Sequence, residues 1–339
     1  MRYKKLGALV GAIALLASLS ACGDGGKPES SAAGENNQSA SSVTYPLEVQ
    51  SCGRKVTIEK EPTKVMSIGV ASGIFAAKVA KKGQFVLRSG EMGEKNPLAD
   101  EYGAELWDEA SPSTESIIEK GVDLVIGDLY GKADPDKLAA AGIQMYIPSV
   151  LCQHAKEENP DLVKNDVPPV KLTDVENDIQ ELGKIFNNPD GSEKAVQEFD
   201  SKYKEAKNII KDDAKSAAFL FYFSEQYPVM SVGEGGIEGA IMRELGLKNI
   251  FSGHKEAYLE EVSWEAVLQA NPDVIIIKYG RTGSTFEEDK ARLLKEPGAD
   301  TLTAVKNDNI IGIANRETWP SPEIATGILK LAESINKIK

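Results

Sequence analysis

The residues able to do chemistry are few: three cysteines and two histidines in 339 residues. Cys22 ends the tetrapeptide Leu19-Ser20-Ala21-Cys22, which closes an apolar run over 6–21 behind Arg2, Lys4 and Lys5. A basic start, an apolar stretch short for a bilayer span, and small residues before a cysteine form the bacterial lipobox pattern. The matching chemistry is a diacylglyceryl thioether on Cys22 with cleavage before it, so 1–21 reads as a lipoprotein signal peptide. A plain signal peptide with an incidental cysteine is the alternative. Two or three acyl chains hold a protein stably, at about 0.8 kcal/mol per buried methylene. The mature chain is therefore expected on the outer face of the membrane. Cys52 and Cys152 remain. Outside the cytosol an even pair forms a disulfide; this one closes a loop of about 100 residues, worth about 4–5 kcal/mol by chain entropy. Two unrelated buried thiols are the alternative. His154 and His254 are too few for a His-rich metal site, and they offer little to activate a catalytic cysteine.

Catalytic motifs are sparse. Neither His-Glu-x-x-His nor Gly-x-Ser-x-Gly occurs. Ser201-Lys202-Tyr203-Lys204 fits Ser-x-x-Lys but has no companion motif. The run Gly233-Glu234-Gly235-Gly236-Ile237-Glu238-Gly239 nearly reads as a phosphate loop, with its third glycine one place late. A glycine turn leading into a helix is the plainer reading. An extracytoplasmic enzyme is thus the alternative from another class. The net charge of -13, with 52 acidic against 39 basic residues, lacks the basic footprint of a nucleic-acid binder. At 41% hydrophobic and 27% charged, the composition is that of an ordinary globular protein.

What must position these residues is an alternation of strands and helices. Residues 22–43 are Gly, Ser, Ala and Asn-rich and form a flexible lipidated tether, reaching roughly 25 Å. Buried strands are expected at 64–68, 85–87, 122–126, 144–147, 217–223 and 274–277, and helices at 74–81, 135–141, 238–245 and 264–270. A last helix over 322–338 takes Ser321 as its cap and Pro322 as its first residue. The class is α/β with largely parallel sheets. One unit recurs half a chain later: Ser-Thr-Glu-Ser-Ile-Ile-Glu-Lys-Gly-Val-Asp-Leu-Val-Ile from Ser113, and Ser-Trp-Glu-Ala-Val-Leu-Gln-Ala-Asn-Pro-Asp-Val-Ile-Ile from Ser263. Ser113/Ser263, Glu115/Glu265 and Asp123/Asp273 coincide, implying two lobes of similar topology, 44–172 and 212–339. Between them, over 173–211, Thr173 with Glu176 forms a capping box. Asn187-Asn188-Pro189 breaks that helix, and Asp190 with Glu193 caps the next. Val196, Phe199, Tyr203, Ala206 and Ile210 then form a narrow apolar stripe on a helix about 30 Å long. It is long enough to be a strut between lobes, and an ordinary surface helix fits the periodicity equally.

Together with Tyr45-Pro46-Leu47-Glu48-Val49, Cys52-Gly53-Arg54, Gly246-Leu247-Lys248-Asn249-Ile250-Phe251 and Asn271-Pro272-Asp273-Val274-Ile275, these features resemble the helical-backbone substrate-binding proteins of bacterial ABC importers, the ferric siderophore, cobalamin and haem group. The resemblance covers roughly 44–337. Gly121-Val122-Asp123 departs from it by lacking the Pro often found before the Asp. It implies two Rossmann-like lobes joined by one rigid helix, a ligand in the cleft between them, little closure on binding, and delivery to an ABC permease and its ATPase by a monomeric receptor. Glu115 and Glu265 match paired acidic residues that dock on the permease; each also sits where a helix dipole favours a carboxylate. The cleft is expected from strand-end loops at 69–72, 88–93, 128–132, 149–154, 224–227, 279–284 and 315–319. The ligand candidates there are Arg88, Tyr130, Tyr222, Tyr227, Tyr279, Arg281, Arg316 and Trp319, since guanidinium forks and flat aromatic faces suit anionic, planar ferric siderophores. No resident cofactor is expected. Haem is the rival cargo, with His154 or Met92 as axial candidates.

Overall fold

The computed structural model describes residues 43–338 except 92–94, 128–131, 162, 164–165, 211–213, 225–226, 260–261 and 282. Cys22, the signal peptide, the tether through residue 42, Met92 and Tyr130 lie outside the described residues. All described residues belong to one compact unit, and among them no helix is long and apolar enough to cross a membrane.

The chain begins with an antiparallel hairpin, β1 (Leu47–Ser51) and β2 (Arg54–Ile58). Its two-residue turn, Cys52-Gly53, has positive φ at both positions (48° and 78°), the geometry that matches strand twist in a tight hairpin. The N-terminal lobe follows. Its sheet contains β3 (Val65–Ile68), β4 (Phe85–Ser89), β5 (Glu105–Leu106), β6 (Leu124–Gly127) and β7 (Gln144–Tyr146), all parallel, in the order β5-β4-β3-β6-β7. The C-terminal lobe contains β8 (Ser216–Tyr222), β9 (Val229–Val232), β10 (Lys248–Asn249), β11 (Tyr258–Leu259), β12 (Val274–Tyr279) and β13 (Ile310–Ala314), in the order β11-β9-β8-β12-β13 with β10 beside β8. Here β8, β10, β12 and β13 are parallel, while β9 and β11 form an antiparallel edge.

The repeated unit occupies the same place in each lobe. Ser113 Oγ accepts from Ser116 N at 3.2 Å and caps helix Thr114–Lys120; Ser263 Oγ accepts from Ala266 N at 3.1 Å and caps Trp264–Ala270. Both helices end on a left-handed residue, Gly121 and Asn271. The shared aspartate then fastens the next strand to the sheet's centre. Asp123 accepts from Thr63 N and Oγ1 (both 2.9 Å) and Lys64 N (3.0 Å), just ahead of β3. Asp273 accepts from Ser216 N (2.9 Å) and Oγ (2.7 Å) at the start of β8.

Helix Leu172–Ile185 leads into the long helix Pro189–Ile209. Their caps differ from those expected. The first is capped two residues earlier than the Thr173/Glu176 box, with Asp174 accepting from Lys171 N at 2.8 Å. The second is capped by Asn188, which accepts from Gly191 N at 3.3 Å, rather than by Asp190. Pro189 decides this: lacking an N–H and with φ preset, it suits the first helical position. The long helix buries Ser192, Ala195, Phe199 and Ala206, with Val196, Tyr203 and Ile210 partly covered. It packs on helices Leu172–Ile185, Val70–Val79 and Ile324–Ile335. The last begins later than Ser321, which is itself buried and whose Oγ instead accepts from Glu323 N within a turn. Helix Val70–Val79 begins earlier than residue 74 because Val70, Ala71, Ser72 and Gly73 are all buried.

Candidate functional site

A cleft opens between the lobes. From the N-terminal lobe it is lined by Val70, Gly90 and Glu91, which follow β3 and β4, and by Val150, Gln153 and His154, which follow β7. From the C-terminal lobe come Glu238, Tyr258, Lys278 and Arg281, then Asn315 and Trp319 beyond β13. Most of these positions follow the carboxyl ends of parallel strands, where open α/β sheets bind ligands.

The segment after β7 is held three ways. Cys152 is disulfide-bonded to Cys52 in the β1–β2 turn. Ser51 Oγ accepts from Ile147 N at 2.7 Å and donates to Ile147 O at 3.3 Å. Asp178, buried on helix Leu172–Ile185, accepts from Ser149 N at 2.8 Å and Val150 N at 3.1 Å. Burial nevertheless pushes the Asp178 carboxyl up to about 7, against the pull of those two donors. These ties place helix Cys152–Glu158 and with it His154, whose side chain is 17% exposed and whose ring meets Tyr258 edge-on at 5.9 Å. Burial, aided by Arg281 and Lys278 and opposed by Glu238, lowers the His154 imidazole to about 4. It is neutral at ordinary pH.

The opposite wall carries a buried ion pair. Lys278 Nζ donates to Glu238 Oε1 at 2.6 Å, and both side chains are 2% exposed. The ammonium also lies over the rings of Phe221 (4.5 Å) and Tyr258 (4.9 Å). Arg281 stacks on Phe223 at 4.5 Å. The glycine run before Glu238 is explained by crowding. A Cβ on Gly233 would lie 2.2 Å from Glu256 O, and one on Gly235 2.0 Å from Lys255 O. These glycines let two backbone segments touch, which is a packing reason, not a phosphate-binding one.

Of the expected ligand residues, Arg281 and Trp319 line the cleft. Arg88 lies beneath it, donating from Nε to Ala104 O at 3.2 Å and paired with Glu91 and Asp100. Tyr222 is buried under the Arg292 guanidinium at 3.9 Å, and burial pushes its hydroxyl well up. Tyr279 packs on Phe286, Tyr227 is exposed beside Phe223, and Arg316 is exposed. Strand alternation separates Tyr222 and Tyr279 from the cleft: in β12 the lining side chain is Lys278, with Phe221 of β8 packed under it, and the next residue of each strand faces the other way. Glu238, Tyr258 and Lys278 are the cleft residues that sequence reasoning missed. Lys278 carried a signal, being the one charge in the apolar run 274–279. Glu115 and Glu265 are each the second residue of their capped helix and are exposed. Among the described residues, no group of three or more His, Cys, Asp and Glu could hold a metal ion.

The profile of the periplasmic binding protein family matches residues 86–317. No curated protein matches the sequence. The fold is similar to that of an ABC-type Fe3+-hydroxamate transport system from Saccharomonospora viridis (TM-score 0.68, 23% identity, covering 86% of this chain and 99% of that one). It is also similar to heme binding protein HmuT (0.63, 17%, 88% and 93%) and to the periplasmic vitamin B12 binding protein BtuF of Vibrio cholerae (0.57, 18%, 81% and 96%). At these identities the likeness is one of fold.

Proposed function

Because the chain belongs to the periplasmic binding protein family, we propose that it is a lipid-anchored receptor which captures a ferric siderophore between its lobes and delivers it to an ABC permease. Family membership implies an extracytoplasmic place of action and a binding role rather than an enzymatic one. The observation that carries the reading is the composition of the cleft. Arg281, stacked on Phe223, and the half-buried Trp319 present a guanidinium and a flat indole face to one space. That pairing suits an anionic, partly planar chelate. A solved protein of similar fold is from an Fe3+-hydroxamate transport system, which supports a ferric chelate as the cargo class. The anchor is Cys22, and Glu115 and Glu265 are the permease contacts, one on each lobe.

Haem is the second reading, favoured by His154. A neutral imidazole at the cleft wall is the form that binds iron. Variants of HmuT have been solved with a histidine, a tyrosine or an arginine replaced by alanine, and this cleft contains His154 and Arg281.

Native mass spectrometry of protein purified from iron-starved cells tests both. The expected result is a co-purifying ferric chelate, together with quenching of tryptophan fluorescence by ferric siderophores and not by free Fe³⁺. A porphyrin mass, with a Soret band altered in His154→Ala, would move the assignment to haem. No saturable ligand of either kind would remove both readings.

A further inference from the structure

One charged group on the C-terminal wall has incomplete bonding. Lys278 is closed: its ammonium donates to Glu238 Oε1 and otherwise lies over the faces of Phe221 and Tyr258. Glu238 is open. Oε1 receives Lys278 at 2.6 Å and the Tyr258 hydroxyl at 3.4 Å, while Oε2 is buried with no hydrogen-bond partner among the described residues. A buried carboxylate oxygen without a donor carries its desolvation cost uncompensated. Glu238 borders the cleft, so the cleft's occupant is the natural source of one. Gly236 packs tightly on the same wall: a Cβ there would lie 2.8 Å from Ala257 Cβ and 3.6 Å from Oε2.

We propose that Glu238 is a specificity-determining residue whose Oε2 accepts a hydrogen bond from a neutral N–H or O–H group of the bound chelate. The proposal rests on the ferric-siderophore reading and narrows it. The donor is neutral because Lys278 already compensates the carboxylate, and a second ammonium beside it meets like charge. A carboxylate on the ligand is disfavoured at this wall for the same reason, since two carboxylates without a shared proton repel. The wall therefore works as an acceptor in spite of Lys278, whose charge is spent on Glu238 and two ring faces. The ligand class selected is a chelate whose iron-binding arms are joined by amides or bear hydroxyls, in preference to one built from carboxylates.

The test is calorimetric titration with two probes: the ferric complex of a linear trihydroxamate with free amide N–H groups, and its amide-N-methylated analogue. The native protein is expected to bind the first at least tenfold more tightly. In Glu238→Gln, Lys278 takes the amide oxygen, so an NH2 group stands where Oε2 was. Affinity for the first probe then falls about tenfold, the second changes little, and the ratio collapses towards one. Should that variant fail to fold, Glu238→Met/Lys278→Met replaces the pair by apolar side chains, a change buried pairs often tolerate, and the same collapse is expected. Equal affinities in the native protein, as when water alone serves Oε2, would overturn the proposal and leave the siderophore reading standing. A preference that survives in either folded variant would overturn it too. Binding of neither probe, with haem titrating instead, would remove the siderophore reading and this proposal together.

Discussion

Asp178 and His154 serve the same cleft-forming segment, and burial moves them in opposite directions. Asp178 is raised from its ordinary 3.8 to about 7. As pH rises the unfolded chain loses that proton first, so the stability Asp178 contributes is complete below pH 3.8 and is lost as pH rises through about 7. Asp178→Asn cannot ionise. Its melting temperature relative to the native protein should climb between pH 4 and 7, while at pH 4 and below the two stay close. His154 is lowered from 6.5 to about 4, so its contribution is complete above pH 6.5 and is lost as pH falls towards 4. His154→Gln should therefore gain on the native protein over that window, in the opposite sense. Melting curves at half-unit pH steps check both; variant and native curves that run parallel would refute the assignment.

Among the elements, the turn entering helix Ile237–Glu244 depends most on having no side chains. Gly235→Ala drives a methyl to 2.0 Å from the Lys255 carbonyl oxygen, a backbone atom that cannot rotate aside. Overpacking of this kind costs about 1–3 kcal/mol at least. The neighbouring β11 and its Tyr258 shift with it, so ligand affinity should fall along with melting temperature. Gly253→Ala, which meets nothing within 4 Å, should leave both unchanged, and equal effects would rule out the crowding argument. The strands are legible in the sequence because runs such as 217–222 and 274–277 are buried on both faces and therefore continuously apolar. The repeat is legible because its serine cap and aspartate staple each require a particular side chain. Which residues face the cleft is not legible to the same degree. A strand end read one residue late selects Tyr279 in place of Lys278, and Tyr222 in place of the Phe221 that supports it, and Glu238 and Tyr258 join Lys278 only through the fold. Ser321 likewise has the side chain of a helix cap, but its burial holds it in a turn.

Across the whole molecule, helix Pro189–Ile209 is tied to both lobes. Near its middle Glu198 pairs with Lys78 of the N-terminal lobe at 2.8 Å, and Lys78 also pairs with Glu323 of the C-terminal lobe at 2.9 Å. Towards its C-terminal end, Glu244 accepts from Tyr203 and from Lys207 (2.9 Å), and Asn336 donates to Ile209 O at 2.5 Å. The lobes also touch directly: Glu157 accepts from Ala257 N at 2.6 Å, and Val170 N donates to Gly235 O at 3.0 Å. Opening wide would bend a long helix and break these bonds, so small-angle scattering should detect little change in radius of gyration on ligand binding. A receptor that moves so little must be read largely through its surface. Glu115 and Glu265, exposed at matching places on the two lobes, are the proposed contacts for that. Glu115→Ala/Glu265→Ala should abolish uptake in cells while the dissociation constant of the purified protein stays native, because neither residue lines the cleft. The helix dipole contributes only about 0.3–1 kcal/mol per carboxylate, so melting temperature should drop slightly and cannot by itself explain lost transport. Each single variant should retain partial uptake through the contact left intact. If the double variant instead binds ligand poorly, or transports normally, the carboxylates serve their helices alone and the permease reads some other surface.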